Sequence, residues 1–235
     1  MLERDGHQNP PAFAHALANL FEGVDLRGKR VLEIGSGRGL LAIYMGMRGA
    51  AHVLSMEPEL VGATSGVITD QRARIAALGL KNVEVEVADF NTWRAGDRRF
   101  DVIVSKASIN HLHESDKHAE YHRPTYDAYV RVVGRIRDVL APGGTFIATD
   151  ACRYAFFTGA RQLGIRRPWR WKRSGVDWRH HQNVGTWMKI FADAGFEGTT
   201  VDYPVPYRLR FARPIVNTAL ANFFLHGSFI VRARR

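Results

Sequence analysis

The stretch Val31-Leu32-Glu33-Ile34-Gly35-Ser36-Gly37-Arg38-Gly39-Leu40 runs from an apolar, mostly β-branched segment through three alternating glycines into a helix-compatible one. Glycine tolerates positive φ and lets a ligand approach the backbone closely, so a strand opening a helix through such a turn reads as a binding loop of an α/β sheet. A dinucleotide site would place its third glycine one residue later than Gly39.

Working outward, four more apolar runs read as strands: His52 to Met56, Val83 to Val87, Phe100 to Ser105 and Thr145 to Thr149. Thr199 to Tyr203 and Ser228 to Ala233 add two further ones. Helical segments fall between them at Leu40 to Arg48, Val61 to Leu78, Tyr121 to Leu140 and Asn183 to Ala194, with a last helix at Arg213 to Phe224. Strands alternating with helices pair in parallel through right-handed crossovers. The expected fold is therefore α/β, a Rossmann-like, mostly parallel seven-stranded sheet with helices on both faces and a helical insertion before the last strand. Ligands bind such sheets at the carboxyl ends of the strands, so the loops that follow strands are where chemistry is expected.

At 235 residues and 46% apolar composition the chain can bury a core of its own and reads as one domain, 1–235. No apolar stretch approaches the roughly 18 to 20 residues of a membrane helix. The single cysteine, Cys152, excludes an internal disulfide framework and fits a reducing, cytoplasmic setting. The net charge of +10 is unevenly placed: residues 1–150 hold 18 Lys and Arg against 19 Asp and Glu, and residues 151–235 hold 15 against 4. The last third is thus expected to form the acceptor-binding half and to meet something anionic, whether a phosphorylated small molecule, nucleic acid or a membrane surface.

Gly35, Gly37 and Gly39, following Glu33, resemble the first motif of the class I S-adenosylmethionine-dependent methyltransferases. The similarity continues in order along the chain, through Glu57 at the end of the second strand, Asp89-Phe90 after the third, Phe100 to Ser105 as the fourth, and Leu140-Ala141-Pro142-Gly143-Gly144-Thr145 before the fifth. It implies that residues 1–150 form the cofactor-binding half. There Glu33, Gly35, Ser36, Gly37, Gly39 and Ser105 are expected to bind the cofactor, the glycine turn cradling the methionine portion of S-adenosylmethionine, while Glu57 accepts the ribose hydroxyls and Asp89 and Phe90 meet the adenine. A looser likeness, carried by Ile109-Asn110-His111-Leu112, by Asp150 with Arg153, and by Asp177-Trp178-Arg179-His180-His181-Gln182, is to bacterial small-molecule and glycan O-methyltransferases.

Methyl transfer from a sulfonium is an in-line displacement, and a hydroxyl acceptor must also lose a proton. Histidine is the natural base near neutral pH. Topology selects His111 after the fourth strand and His181 before the late helix, with Asp150 orienting one of them. A divalent ion is conceivable among these His, Asp and Glu residues, but the spacing from His111 to His122 matches no zinc pattern, and no metal site is assigned. Between Arg153 and His181, bases alternate with aromatics, as in Arg166-Arg167-Pro168-Trp169-Arg170-Trp171-Lys172-Arg173. Guanidinium forks suit phosphate or carboxylate, and aromatic faces suit sugars, bases or an interfacial lipid layer. The apolar segment Arg213 to Phe224, flanked by cations, suits a lid or a contact at a membrane. The expected acceptor is a sugar, glycolipid or secondary metabolite. RNA or DNA methylation is the alternative, set back because the fourth strand lacks the following Asn/Asp-Pro-Pro-aromatic segment of base-methylating enzymes. A fold that binds without turnover is the non-enzymatic alternative.

Overall fold

A computed structural model describes residues 9–59, 66–113, 115–156, 180–225 and 227–235. The described residues form a seven-stranded sheet, β1 (Arg30–Ile34), β2 (His52–Met56), β3 (Val83–Glu86), β4 (Phe100–Lys106), β5 (Leu140–Ala151), β6 (Glu197–Asp202) and β7 (Ser228–Arg234), in the order β3-β2-β1-β4-β5-β7-β6. Strands β3 to β5 pair in parallel, and β7 runs antiparallel between β5 and β6. The order reverses between β1 and β4, which places a crevice at their carboxyl ends.

Because side chains alternate across a strand, the sheet feeds two cores. Val31, Val53, Val102, Val104 and Ile147 face α1 (Pro10–Leu20), α2 (Leu40–Met47) and α3 (Val67–Ala77). Leu32, Leu54, Ile103 and Phe146 face α4 (Arg123–Val139) and α5 (Val184–Asp193), where Trp187 packs edge-on against Tyr129 with ring centroids 5.0 Å apart.

Several boundaries differ from expectation, and four of the differences have an identifiable physical reason. Helix α1 is additional: Asn9 caps it through its side chain, prolines open it, and Leu17 and Leu20 bury its apolar stripe. Helix α3 starts at Val67 because Gly66 is left-handed at φ 77°; residues 60–65 of the expected segment lie outside the described residues. Helix α4 starts at Arg123, where the His122 side chain accepts from the Thr125 amide. The expected helix Arg213 to Phe224 is split into α6 (Arg213–Val216) and α7 (Ala219–Leu225), after a 3-10 turn at Tyr207–Ala212. Asn217 breaks it by accepting from Tyr203 N at 2.7 Å and donating to Asp202, and the Thr218 hydroxyl receives the Ala221 amide as a new cap. These elements are the helical insertion between β6 and β7. No helix among the described residues is long and apolar enough to cross a membrane.

Candidate functional site

The carboxyl ends of β1, β2 and β4 open into a cleft of about 820 Å³ walled by Gly35, Gly37, Glu57, Asp89, Lys106 and His111, among others. That size is ordinary for a small-ligand site. Its glycine wall is dictated by crowding and φ together. Gly35 has φ 74°, and a Cβ there would lie 2.6 Å from the Ser108 Cβ. Gly37 has φ 51° with open space beyond it, so its backbone stands free toward the cleft. The Gly37 amide donates to Glu57 Oε2 at 2.7 Å, which fixes the buried carboxylate at the end of β2.

On the far wall, Asp89 Oδ1 accepts from the Asn91 amide at 2.8 Å, while Phe90 is buried against Trp93. Arg135 of α4 fastens this loop, its guanidinium donating to the carbonyls of Phe90, Asn91 and Trp93 and lying 5.4 Å from the Phe90 ring centroid. Asn91 in turn donates to the Leu112 carbonyl at 3.0 Å, linking the loop to the turn after β4.

That turn, Ile109–His111, carries the first expected base. Ile109 is fully buried, the Tyr129 hydroxyl donates to the carbonyls of Asn110 and His113, and the Asn110 amide donates to Asp150 Oδ2 at 3.3 Å. His111 is thereby held exposed at the cleft wall. Behind it, His181 Nε2 lies 3.4 Å from Asp150 Oδ1 with both side chains buried, and the His111 and His181 rings meet edge-on at 6.1 Å. His180 stands 6.3 Å from His111 and its Nδ1 donates to the Ser115 carbonyl. His113, also at the cleft, is pushed below the usual histidine range by burial and then by Arg131. Burial, then Arg153, pushes His118 in the same direction.

The structure therefore gathers Gly35, Ser36, Gly37, Glu57, Asp89, Phe90 and His111 around one cleft, with the Asp150–His181 pair behind. Three expected cofactor residues stand elsewhere. Ser105 is fully buried, and its hydroxyl is bonded to that of Ser108, which donates to the Ile34 carbonyl. Gly39, at φ 73°, caps α2 where a Cβ would lie 2.3 Å from Gln71. Gln71 belongs to a buried polar chain between the hydroxyls of Ser36 and Ser55. Glu33 lines a smaller adjoining cavity with Arg38 and Lys106. Burial raises its carboxyl to about 8 against the opposing pull of Lys106 and the Ala42 amide, and Glu33 Oε2 has no hydrogen-bond partner among the described residues.

Sequence reasoning gave no role to Gln71, Arg135 or Lys106. Only Lys106 carried a usable signal, a cation at the carboxyl end of a central strand. The basic-aromatic stretch 166–173 and residues 177–179 lie outside the described residues. No group of three His, Cys, Asp or Glu side chains converges as a metal-binding set among those described.

Residues 6–201 match the family model of the methyltransferase domain. Phosphoethanolamine N-methyltransferase 3 of Arabidopsis thaliana is 32% identical over 176 residues, covering 74% of this chain and 30% of that protein. Aklanonic acid methyltransferase from a Streptomyces species is 28% identical over 127 residues, covering 52% of this chain and 48% of that one. The chain thus spans less than a third of the plant protein's length and under half of the bacterial one's. Among solved structures, an S-adenosylmethionine dependent methyltransferase from Mesorhizobium loti has the same fold, with a TM-score of 0.64 at 19% identity over 97% of this chain and 99% of that one.

Proposed function

Because the chain belongs to the methyltransferase-domain family, we propose that it transfers a methyl group from S-adenosylmethionine to a hydroxyl of a small acceptor, a sugar, glycolipid or secondary metabolite, with His111 as the general base. The observation that carries this reading is the position of His111, exposed at the wall of the glycine-lined cleft with the buried Asp150–His181 pair behind it.

The cleft fits the cofactor. The backbone at Gly37 is open, Glu57 offers a carboxylate with lone pairs beyond the one Gly37 uses, and Asp89 keeps Oδ2 besides the oxygen that receives Asn91. In this reading Gly35, Ser36 and Gly37 would hold the methionine portion, Glu57 the ribose, and Asp89 with the edge of Phe90 the adenine. Glu33, Gly39 and Ser105 would act from behind, by shaping the loop. When bound, the cofactor supplies an electrophilic methyl group on a sulfonium that leaves as a neutral thioether.

The remaining work is the chain's own. His111 takes the acceptor's proton as its oxygen becomes a nucleophile. His181, buried and against Asp150, is a positioning residue that steers the His111 ring rather than touching the acceptor. The turn that carries His111 is fixed by Ile109, Tyr129 and Asp150, so the base is held before substrate arrives.

Nucleic acid is the weaker acceptor, since part of the described C-terminal positive charge is used internally. Arg213 pairs with Glu22, Arg232 with Asp202, and Arg235 donates to the Asp138 and Leu140 carbonyls. An amine acceptor is the second reading, favoured by the phosphoethanolamine N-methyltransferase relative. Incubation with labelled cofactor and panels of alcohols and amines tests the assignment. Label on alcohols, lost in His111→Ala, supports it; label on amines alone, insensitive to His111→Ala, replaces it with the second reading.

A further inference from the structure

A third cavity, of about 510 Å³, lies on the other side of Lys106 from the main cleft. Its floor is a row across three strands, with Lys106 of β4 in register with Thr149 of β5 and Thr149 with Ile230 of β7. Alternation puts all three on the sheet face that α1 covers, opposite Asp150. The roof is α1 and the segment Pro204–Arg208, fastened together where His15 Nε2 and Asn19 Nδ2 both approach the Val205 carbonyl, at 3.1 and 3.4 Å. The His15 and Tyr207 rings meet edge-on at 5.7 Å beside them.

The chemistry of this cavity is one-sided. Ala12, Leu17, Val205 and Ile230 give it an apolar lining, Lys106 and Arg208 supply cations, and no Asp or Glu lines it among the described residues. Burial raises the carboxyl of the neighbouring Glu33 to about 8 against the pull of Lys106, which weakens its hold on the Lys106 charge. The cavity is large enough for a ligand body rather than a few waters.

We propose that this cavity is a binding site for an amphiphilic anion, a carboxylate or phosphate on an apolar body, and that it seats the body of the acceptor beside the cofactor cleft. The apolar part lies under α1 on Thr149 and Ile230, and the anionic group meets Lys106, where the two cavities share a wall. The acceptor assignment rests on the methyl-transfer reading above; the binding site itself does not.

The test uses the whole chain with saturating S-adenosylhomocysteine and the fluorescent apolar anion 1-anilinonaphthalene-8-sulfonate as probe, displaced by dodecanoate, dodecyl phosphate or dodecanol. Either anion is expected to displace the probe at least tenfold more tightly than dodecanol, and the stronger of the two identifies the headgroup. Ala16→Trp, which fills the roof, and Thr149→Phe, which fills the floor, should each weaken anion binding tenfold or more while S-adenosylhomocysteine affinity stays within twofold. Lys106→Met should reduce the preference for anion over alcohol to less than twofold. Equal competition by dodecanol, competition between dodecanoate and S-adenosylhomocysteine, or anion binding indifferent to both filling variants would overturn the site. A folded protein that binds dodecanoate in these ways but not S-adenosylhomocysteine would keep the site and overturn the acceptor assignment together with the methyl-transfer reading.

Discussion

Replacing Glu33 by Gln should make the protein more stable, by an amount that grows with pH. Glu33 is buried, one oxygen has no hydrogen-bond partner among the described residues, and burial carries its carboxyl from 4.5 to about 8. In the unfolded chain the proton leaves near the ordinary value, so between about 4.5 and 8 the folded state holds more protons than the unfolded one and stability falls as pH rises. The contribution is intact below the unfolded value and is lost as pH climbs through the folded one. A neutral, nearly isosteric glutamine removes that dependence. The difference between variant and parent should increase by about 1.4 kcal/mol per pH unit between pH 5 and 8 and level off above, about 4 kcal/mol in all. Urea unfolding followed by tryptophan fluorescence at half-unit pH steps reads it, since groups remote from position 33 titrate alike in both proteins and cancel. A difference that stays constant from pH 5 to 8.5 would refute the reasoning, because the carboxyl would then titrate alike folded and unfolded.

The other consequences concern the base, its support and the core. His111→Ala should lower turnover on a hydroxyl acceptor by about 10²- to 10⁴-fold and leave S-adenosylhomocysteine affinity unchanged by calorimetry; retained turnover would remove His111 from the chemistry. Asp150→Asn should lower kcat more than it raises KM and move the pH profile of kcat, which a merely structural defect would not do. Trp187→Ala should cost about 3–5 kcal/mol of stability by urea unfolding. Trp187→Phe should cost markedly less, because the indole nitrogen has no partner to lose among the described residues.

The parts of the fold legible in the sequence are those set by local rules. Short apolar runs marked the strands, because a sheet packed on both faces demands consecutive apolar residues such as Val31 and Leu32, one for each core. The cleft glycines were visible because Gly35 and Gly37 occupy positive φ at a strand-to-helix turn. Helix α1 was missed although its capping Asn9 and opening prolines were in view, since its apolar stripe has meaning only against the sheet face it covers. The break at Asn217 depends on Tyr203 and Asp202, which come from a different element. The meeting of His111 with His181 and Asp150 could be expected from strand order, but the burial of His181 behind His111 is a tertiary fact. Arg135 and Gln71 act entirely through backbone and side chains distant in sequence, and no local pattern singles them out.

The most direct measurement is calorimetric titration of the whole chain with S-adenosylhomocysteine, in parallel with Glu57→Ala. The account predicts one saturable site in the parent and at least tenfold weaker binding in the variant, with both proteins folded by circular dichroism. A folded parent that gives no heat of binding, or equal affinity in Glu57→Ala, would contradict it.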